Sequence, residues 1–382
     1  MRPCMRRCIM ERPKVLLFTE YFAPAYKGGG PIQSCVNLVR YLAQAYDFYV
    51  VCQAFDLDKS PLGVPFEEWV DFEGKAQVFY GEEQKYSDIK AIIDQVKPDV
   101  VYVNGVFNLF TTLFPLLSNR KVGSQAKVII APRGMLQLNS LKIKRLKKRL
   151  YLEVLKQLLP KNLMWQFTTQ QEQLEFRTLR LQGLQSIVGN VPNISIGFSK
   201  GQMKSSEAIK LVTVALISPM KNHLLVIEAL KNVKGNVQWD IYGPVKDSQY
   251  WNSCQETINR LPKNIIVNYH GEVKPTRIGE VLKKANVYIQ PSQSENFGHS
   301  LFEAFANGLP VISSNQTPWR NLKEKKAGWD VVLEGNELQI AIEEAISMDS
   351  ETFGIWQKGA RAVAEQYMSE ANLKEEYGRL FG

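Results

Sequence analysis

The stretch VYIQPSQSENFGHSLFEAFANGLPVISS, residues 287–314, indicates the fold of this chain. It begins with a short apolar run, continues through a polar, turn-rich segment at residues 291–298, and then changes to a helical pattern. Gly308 and Pro310 end that helix before a second apolar run begins. The pattern predicts strand, loop, helix, turn and strand, which is a repeating unit of parallel α/β sheets.

The loop of this unit is predicted to bind a ligand. A loop that follows a strand and leads into a helix offers unpaired amides and a partial positive charge, which suit a phosphate. Glu295 lies in the loop and Glu303 lies one turn into the helix, so both can face one cleft. A carboxylate accepts two hydroxyl groups at once, and a sugar or a ribose presents such a diol. The alternative interpretation is a pair of solvated surface glutamates.

Composition limits the possible classes of protein. The 382 residues are enough for two domains, and 45% hydrophobic with 22% charged residues is typical of globular proteins. The net charge of +9 indicates an anionic partner, such as a nucleotide sugar, an acidic lipid or a nucleic acid. Because no aromatic stacking platform or nucleic-acid motif accompanies the charge, we expect no nucleic acid partner.

The cysteines and the first residues indicate the cellular compartment of the protein. The five cysteines are odd in number and lack metal-ligand spacing, which favours a reduced, cytoplasmic protein. They are Cys4, Cys8, Cys35, Cys52 and Cys254. Residues 1–13 are basic but lack the apolar region of a signal peptide, so we expect a disordered leader. The uncharged run at residues 100–117 is interrupted by Asn, Gly and Pro and predicts a strand, a loop and a helix, not a membrane span.

The first half of the chain predicts a parallel sheet. Residues 14–19 are a nearly all-apolar strand, followed by the glycine run Gly28, Gly29 and Gly30 and a helix from Pro31. Such a turn can cradle an anion, although the fingerprint GxGxxG is absent. Further strands are predicted at residues 48–53, 76–80, 99–103, 127–131 and 163–168. Alternation with helices predicts a doubly wound sheet that binds ligands at the carboxyl ends of its strands.

A second alternation of strands and helices starts at Lys210, with strands predicted at residues 211–216, 238–242 and 264–269. The segment at residues 188–204 mixes Gly, Pro, Asn and Ser, which indicates the boundary between two domains. From Ser350 onwards the pattern is helical.

Asp56 and Asp58 raise a competing hypothesis. A DxD pair after a strand is the metal-binding arrangement of GT-A glycosyltransferases, and two carboxylates can ligate Mn²⁺ or Mg²⁺. The alternating architecture of the chain argues against that class. Ordinary acidic loop residues are the other interpretation.

Residues 141–159 predict an amphipathic helix that packs one apolar stripe on the core. The stripe consists of Leu141, Leu146, Leu150, Val154, Leu155 and Leu158. Its basic residues are Lys142, Lys144, Arg145, Lys147, Lys148, Arg149 and Lys156. This cluster suits an anionic membrane surface, and a solvated face is the alternative.

The loop at residues 291–298 and the helix that follows it carry a recognisable signature. Glu295, Phe297, Gly298, Glu303 and Ala304 match the pattern Glu, any residue, Phe-Gly, four residues, Glu-Ala. With it, the chain resembles the retaining GT-B glycosyltransferases of family 4, the glycosyl transferases group 1, and within them a bacterial surface-polysaccharide subgroup. The resemblance implies an α/β fold of two Rossmann-like, parallel-sheet domains facing each other across a cleft.

The resemblance also implies the domain layout. Residues 14–195 would be the acceptor domain and residues 196–366 the nucleotide-sugar donor domain. A helix at about residues 367–382 would cross back to the first domain.

Site residues follow from the same resemblance. Glu295 would hold the donor sugar and Glu303 the ribose, and the candidate catalytic residues are Glu295, Lys221 and Asn104. The donor-binding candidates are Gly29, Gly30, Phe297, Gly298, His299, Ser300, Leu301, Glu303 and Arg320. Arg133, in the segment APRGML, is predicted to grip an acceptor phosphate.

Two positions depart from the family pattern. Asn104 stands where a histidine is usual, and it can orient groups but cannot carry a proton. Leu216 stands where an arginine usually binds the diphosphate, and our hypothesis is that Arg320 supplies the missing cation.

The predicted function is that of a retaining glycosyltransferase that needs no metal or other cofactor. It would move a sugar from a nucleoside diphosphate to a lipid-linked or oligosaccharide acceptor in surface-polysaccharide biosynthesis. The protein would be cytoplasmic and peripheral at the inner face of the cytoplasmic membrane, through residues 141–159. A GT-B nucleotide-sugar epimerase and a non-catalytic nucleotide- or glycan-binding subunit are the alternatives.

Overall fold

The computed structural model describes residues 11–82, 85–123, 125–142, 144–193 and 208–382. They form two α/β domains, each built on one sheet, which confirms the predicted fold class. Cys4, Cys8 and most of the expected leader lie outside the described residues. The predicted domain boundary after residue 195 lies outside them as well and stays a prediction.

The first sheet has the order β3-β4-β2-β1-β5-β6-β7-β8. Its strands are β1 Lys14–Phe18, β2 Asp47–Gln53, β3 Trp69–Phe72, β4 Ala76–Gly81, β5 Val100–Asn104, β6 Lys127–Ala131, β7 Leu163–Phe167 and β8 Leu184–Ile187. All pair in parallel except β3, which runs antiparallel to β4 at the edge. The sequence prediction missed β3 and β8, because four-residue edge strands carry too short a pattern to be recognised.

Apolar runs became the central strands because both faces of the sheet are covered. In β1, Val15 and Leu17 belong to the core on one face, whereas Leu16 and Phe18 belong to the core on the other. All four side chains are buried. A strand covered on both faces has no solvent-facing position, so its sequence loses the alternation of a half-exposed strand.

The helices of the first domain are α1 Gly30–Leu42, α2 Tyr86–Val96, α3 Phe114–Val122, α4 Leu138–Lys142, α5 Arg145–Leu158 and α6 Gln170–Arg177. The uncharged run at residues 100–117 forms β5, a π-helical turn at Leu109–Leu113 and the start of α3, as predicted. Within the described part of the chain, every helix is too short or too polar to cross a membrane.

The predicted helix at residues 141–159 is wrong in two respects. It is divided between α4 and α5, with Lys144 in the left-handed region at φ 53°. The predicted stripe is wrong in part, since Leu146 is 83% and Leu150 is 71% exposed and Val154 is exposed as well. Leu141, Leu155 and Leu158 pack on the core as predicted, together with Leu152, which the prediction left out. Residues two positions apart in a helix point about 200° apart around its axis, so Leu150 and Leu152 cannot both face the core.

The second sheet has the order β11-β10-β9-β12-β13-β14, with all its strands parallel. The strands are β9 Ala208–Val214, β10 Asn236–Tyr242, β11 Ile265–Tyr269, β12 Val287–Gln290, β13 Val311–Ser314 and β14 Gly328–Val331. The helices are α7 His223–Leu230, α8 Ser248–Ile258, α9 Ile278–Leu282, α10 His299–Ala306, α11 Glu337–Ser347, α12 Ser350–Glu370 and α13 Leu373–Phe381.

Each sheet has a point where the strand order reverses. In the first sheet the chain moves outward from β1 through β2 and then outward in the other direction from β5, and in the second sheet β9 and β12 play these parts. Helices leave on opposite faces at such a point, so a crevice opens at the carboxyl ends of the two strands. The glycine run follows β1, and the Glu295 loop follows β12.

The end of the described chain joins the two domains. Tyr367 of α12 packs against Phe297 and Trp319 in the second domain, and its hydroxyl donates to the Asn190 carbonyl (2.8 Å). Helix α13 buries Tyr377 and Phe381 in the core of the first domain. The chain therefore returns to the domain in which it began.

Candidate active site

A cavity of about 380 Å³ lies between the two domains. The loops that follow β1 and β6 line it from the first domain, and those that follow β9, β10, β11 and β12 line it from the second. These are carboxyl ends of parallel strands, where α/β folds bind ligands. The cavity brings together most of the predicted site residues: Gly29, Gly30, Arg133, Lys221, Glu295, Phe297, Gly298, His299, Ser300 and Glu303.

Glu295 and Lys221 form an ion pair in this cavity. Lys221 ends a 3₁₀ turn at Pro219–Lys221, directly after β9. The same Glu295 oxygen accepts hydrogen bonds from Gln290 Nε2 (2.8 Å) and Ser292 Oγ (2.8 Å). Because several donors hold this carboxylate, its orientation is fixed before any ligand arrives.

Helix α10 points its amino terminus into the cavity. Gly298 precedes the helix with φ 76°, and a Cβ atom there would lie 2.8 Å from Leu301 Cδ1, so the turn requires glycine. The first amides of a helix have no partner within it, which leaves those of His299, Ser300 and Leu301 for a ligand. The Leu301 side chain packs in the core, so only its amide can take part.

His299 connects the two domains. Its Nε2 lies 2.8 Å from Ser34 Oγ of α1, and Ser34 Oγ donates to the Gly30 carbonyl (3.0 Å). The serine proton is thereby used, so His299 Nε2–H donates to Ser34. Burial, aided by the nearby positive charges of Arg133 and Lys221, lowers the pKa of His299 to about 3. His299 is therefore neutral at physiological pH.

Glu303 lines the cavity but is 5% exposed. Burial raises its pKa to about 7, against an opposing hydrogen bond from Asn193. Burial disfavours the charged form of a carboxyl group, so Glu303 titrates near neutral pH instead of near 4.

Arg133 holds the wall of the cavity that belongs to the first domain. Its guanidinium donates to Asn104 Oδ1 (2.8 Å), to the Tyr102 hydroxyl (2.8 Å) and to Asn190 Oδ1. Asn104 itself is buried, donates to Thr19 Oγ1 (3.3 Å) and is absent from the cavity lining. The structure thus places Asn104 behind Arg133, where it orients that side chain, and the acceptor-binding role of Arg133 stays a prediction.

Arg320 does not reach the cavity, in contrast to our hypothesis. Its guanidinium donates to the Asn315 carbonyl and lies 3.6 Å from Asp330, with the side chain half exposed. Leu216 does line the cavity. Arg320 belongs to the loop after β13, one strand further from the reversal point than Glu295, and that distance separates it from the donor loop.

Asp56 and Asp58 hold the segment that leads into the glycine run. Asp56 accepts from the backbone amides of Tyr26 (3.0 Å) and Lys27 (3.2 Å), and Asp58 accepts from Lys27 Nζ (2.6 Å). Among the described residues, no group of three or more His, Cys, Asp or Glu side chains is placed to hold a metal ion.

Two residues of the site were missed by the sequence analysis. Glu172 of α6 is buried and accepts from the Gly134 amide (2.6 Å) and Asn296 Nδ2 (3.3 Å), which joins the walls of the two domains. Lys27 lines the cavity and contacts Glu272 of the second domain (3.2 Å). Both contacts depend on how the two domains face each other, and the sequence around each residue does not show this.

Comparison with known proteins finds a family model that matches part of the chain and solved structures that share its fold. Residues 198–347 match the family model described as Glycosyl transferases group 1. Sucrose-phosphate synthase from Thermosynechococcus elongatus is similar in structure (16% identity, TM-score 0.75, covering 97% of this chain and 99% of that chain). WaaG, a glycosyltransferase involved in lipopolysaccharide biosynthesis, is also similar in structure (13% identity, TM-score 0.71, covering 96% of this chain and 99% of that chain).

A third similar structure is Anabaena HepE in complex with UDP and glucose (15% identity, TM-score 0.68, covering 97% of this chain and 98% of that chain). No curated protein matches the chain. The structural similarities confirm the fold, and the family match confirms the predicted enzyme class for the second domain. The chain adopts the GT-B fold and carries a glycosyl transferases group 1 domain at residues 198–347.

Proposed function

We propose that this protein transfers a sugar from a nucleoside-diphosphate sugar to an acceptor, with retention of configuration and without a metal ion. The observation that carries the proposal is the meeting of Glu295, Lys221, Glu303 and the amino terminus of α10 in one cavity. These groups supply hydroxyl acceptors and anion donors side by side, as a nucleotide sugar requires.

The donor is oriented by charge and hydrogen-bonding capacity. Its ribose hydroxyls would bind Glu303, its diphosphate would bind Lys221 and the amides at Ser300 and Leu301, and its sugar hydroxyls would bind Glu295. HepE, which shares the fold, has been solved with UDP and with UDP-glucose, which supports this class of donor.

Catalysis would depend on stabilising two charges in the transition state. Glycosyl transfer develops positive charge on the sugar ring and negative charge on the leaving diphosphate. A fixed donor aimed at such developing charge is worth about 3 kcal/mol, and Lys221 with the α10 amides would supply several. We assign no nucleophile, since Glu295 is held by Lys221, Gln290 and Ser292. The leaving phosphate would take the proton of the acceptor on the same face of the sugar.

The acceptor is proposed to be lipid-linked, which puts the protein at the inner face of the cytoplasmic membrane. The cavity lining includes Gln137, which precedes α4, and Ser140 within α4, the short helix before α5. Helix α5 exposes Leu146, Leu150 and Val154, one turn apart, between basic side chains. Exposed leucines can insert at the bilayer boundary, while each nearby Lys or Arg adds about 1 kcal/mol on an anionic membrane. The role of WaaG in lipopolysaccharide biosynthesis supports a place in surface-polysaccharide assembly.

Donor binding and transfer test the enzymatic proposal. Thermal-shift measurements with UDP, GDP and ADP identify the base, and the matching sugar nucleotides then serve as donors, with EDTA present. We expect slow donor hydrolysis without acceptor and a product that keeps the anomeric configuration, as read by NMR. Interconversion of the sugar nucleotide without hydrolysis would instead identify an epimerase. Nucleotide binding without any turnover would identify a binding subunit.

Vesicle sedimentation tests the membrane proposal. The variant Leu146→Ser/Leu150→Ser/Val154→Ser is expected to bind phosphatidylglycerol vesicles about tenfold or more weakly than the wild type, because three inserted side chains are lost. A matched control, Leu174→Ser/Leu184→Ser, removes exposed leucines elsewhere on the first domain and should leave binding unchanged. Equal binding of wild type and triple variant would contradict the proposal.

A further inference from the structure

Leu216, an apolar residue, lines the proposed donor site where that site meets the glycine run. A Cβ atom placed on Gly29 would lie 3.9 Å from Leu216 Cδ1, and one on Gly30 would lie 3.8 Å from His299 Cδ2. The glycine run of the first domain therefore lies against Leu216 and the start of α10. A diphosphate bound at that helix start would lie beside whatever charge this loop carries.

Lys27 is the charge that this loop carries. It directly precedes Gly28, lines the cavity, and has its backbone held by Asp56. Its ammonium contacts Asp58 of its own domain (2.6 Å) and Glu272 of the other domain (3.2 Å). Hydrogen bonding to Asp58 raises the pKa of Lys27, so the side chain is charged at physiological pH.

Within the described part of the chain, Arg133 and Lys221 are the other Lys or Arg residues that line the cavity. Arg133 is fixed by hydrogen bonds to Tyr102, Asn104 and Asn190, and Lys221 is paired with Glu295. Lys27 is paired as well, with Asp58 at 2.6 Å and Glu272 at 3.2 Å. The contact with Glu272 is the longer of the two, so a phosphate oxygen can replace Glu272 while Asp58 stays bound.

We propose that Lys27 is a diphosphate-binding residue of the donor site, which exchanges Glu272 for a phosphate oxygen of the donor and supplies the charge that Leu216 does not. This inference rests on the proposed nucleotide-sugar function. Charge-assisted hydrogen bonds to phosphate are among the stronger polar contacts, so the exchange favours the bound state. Glu272 thereby acts as a competitor for Lys27 in the absence of donor.

The competition gives two substitutions of opposite effect. We measure by calorimetry the binding of UDP, GDP and ADP, and of uridine, guanosine and adenosine, to the full chain at fixed ionic strength. For the diphosphate that binds, Lys27→Gln is expected to lower the affinity about tenfold and leave the affinity for its nucleoside unchanged. Glu272→Gln, which removes the carboxylate that competes with the phosphate for Lys27, is expected to raise the affinity for the diphosphate about threefold.

Controls separate charge, folding and geometry. Lys231→Gln alters the net charge equally at an exposed ion pair and should change nothing. Lys27→Arg should retain most of the affinity. If Lys27→Gln and Glu272→Gln changed diphosphate affinity in the same direction, the contact would be a structural bridge and the proposal would be overturned. Wild-type protein that bound no nucleoside diphosphate would overturn the proposed function itself, whereas normal binding by Lys27→Gln would overturn the role of Lys27 alone.

Discussion

The two walls of the cleft hold their charged residues in different ways. On the wall formed by the second domain, the proposed donor wall, Glu295 is held by Gln290 and Ser292, within five positions along the chain, and by Lys221, 74 positions away. On the wall formed by the first domain, Arg133 is held only by distant residues: Tyr102, Asn104 and Asn190 lie 29 to 57 positions away. Glu295 is thus positioned in part by its own loop, whereas Arg133 depends on distant neighbours and fastens strands together. We therefore expect substitution of Lys221, the partner of Glu295, to change catalysis, and substitution of Arg133 to change stability.

The largest effect should follow the loss of Lys221. Lys221→Met is expected to reduce turnover about 100- to 1,000-fold, because a fixed charge on the leaving diphosphate is lost. Urea unfolding should show a change below about 1 kcal/mol, since the pair it forms with Glu295 is partly exposed. Turnover within threefold of the wild-type value would show that Lys221 does not act on the diphosphate. Lys231→Met, on the surface of the same domain, is the matched control.

Arg133 should show the opposite behaviour. Arg133→Lys cannot reproduce three directed hydrogen bonds, so buried oxygens of Asn104, Asn190 and Tyr102 lose their donor. We expect a loss of about 3 kcal/mol in the free energy of unfolding and a change below threefold in nucleotide affinity. A large loss of affinity with unchanged stability would assign Arg133 to the ligand and erase the contrast between the walls.

Glu303 links stability to pH on the donor wall. Its folded pKa of about 7 lies above the ordinary value of 4.5, so the contribution of Glu303 to stability is greatest below pH 4.5 and is lost as pH rises from 4.5 through 7. Glu303→Gln removes the buried charge and should be more stable than wild type at pH 8 by on the order of 2 kcal/mol, and about equal to it at pH 4. Urea unfolding at both pH values checks this. The same variant should also bind nucleotide more weakly than wild type. Equal nucleotide affinity would show that Glu303 does not bind the ribose.

The smallest effect is expected at Arg320. Because its contacts are Asn315 and Asp330 on an exposed loop, Arg320→Ala should change donor affinity and turnover less than twofold. Steady-state kinetics with the identified donor measure both. A tenfold loss would restore the hypothesis that Arg320 substitutes for the cation absent at Leu216, and would require the loop after β13 to move towards the cleft.

Local sequence determined what was predictable. The stretch at residues 287–314 has its strand, helix and capping glycine where the pattern placed them, because each depends on neighbours a few positions away. The outward face of α5 was mispredicted, since Leu150 and Leu152 are both apolar and only tertiary packing chooses between them. Lys27 and Glu172 were missed because their partners Glu272 and Asn296 belong to the other domain.

Helix α13 has a consequence for biosynthesis. It inserts Tyr377 and Phe381 into the core of the first domain, although these residues are translated after the whole second sheet. Domains usually fold as units in the order in which they leave the ribosome. Here the domain that is synthesised first completes its core last, so its apolar surface for α13 stays uncovered while the second domain is being made.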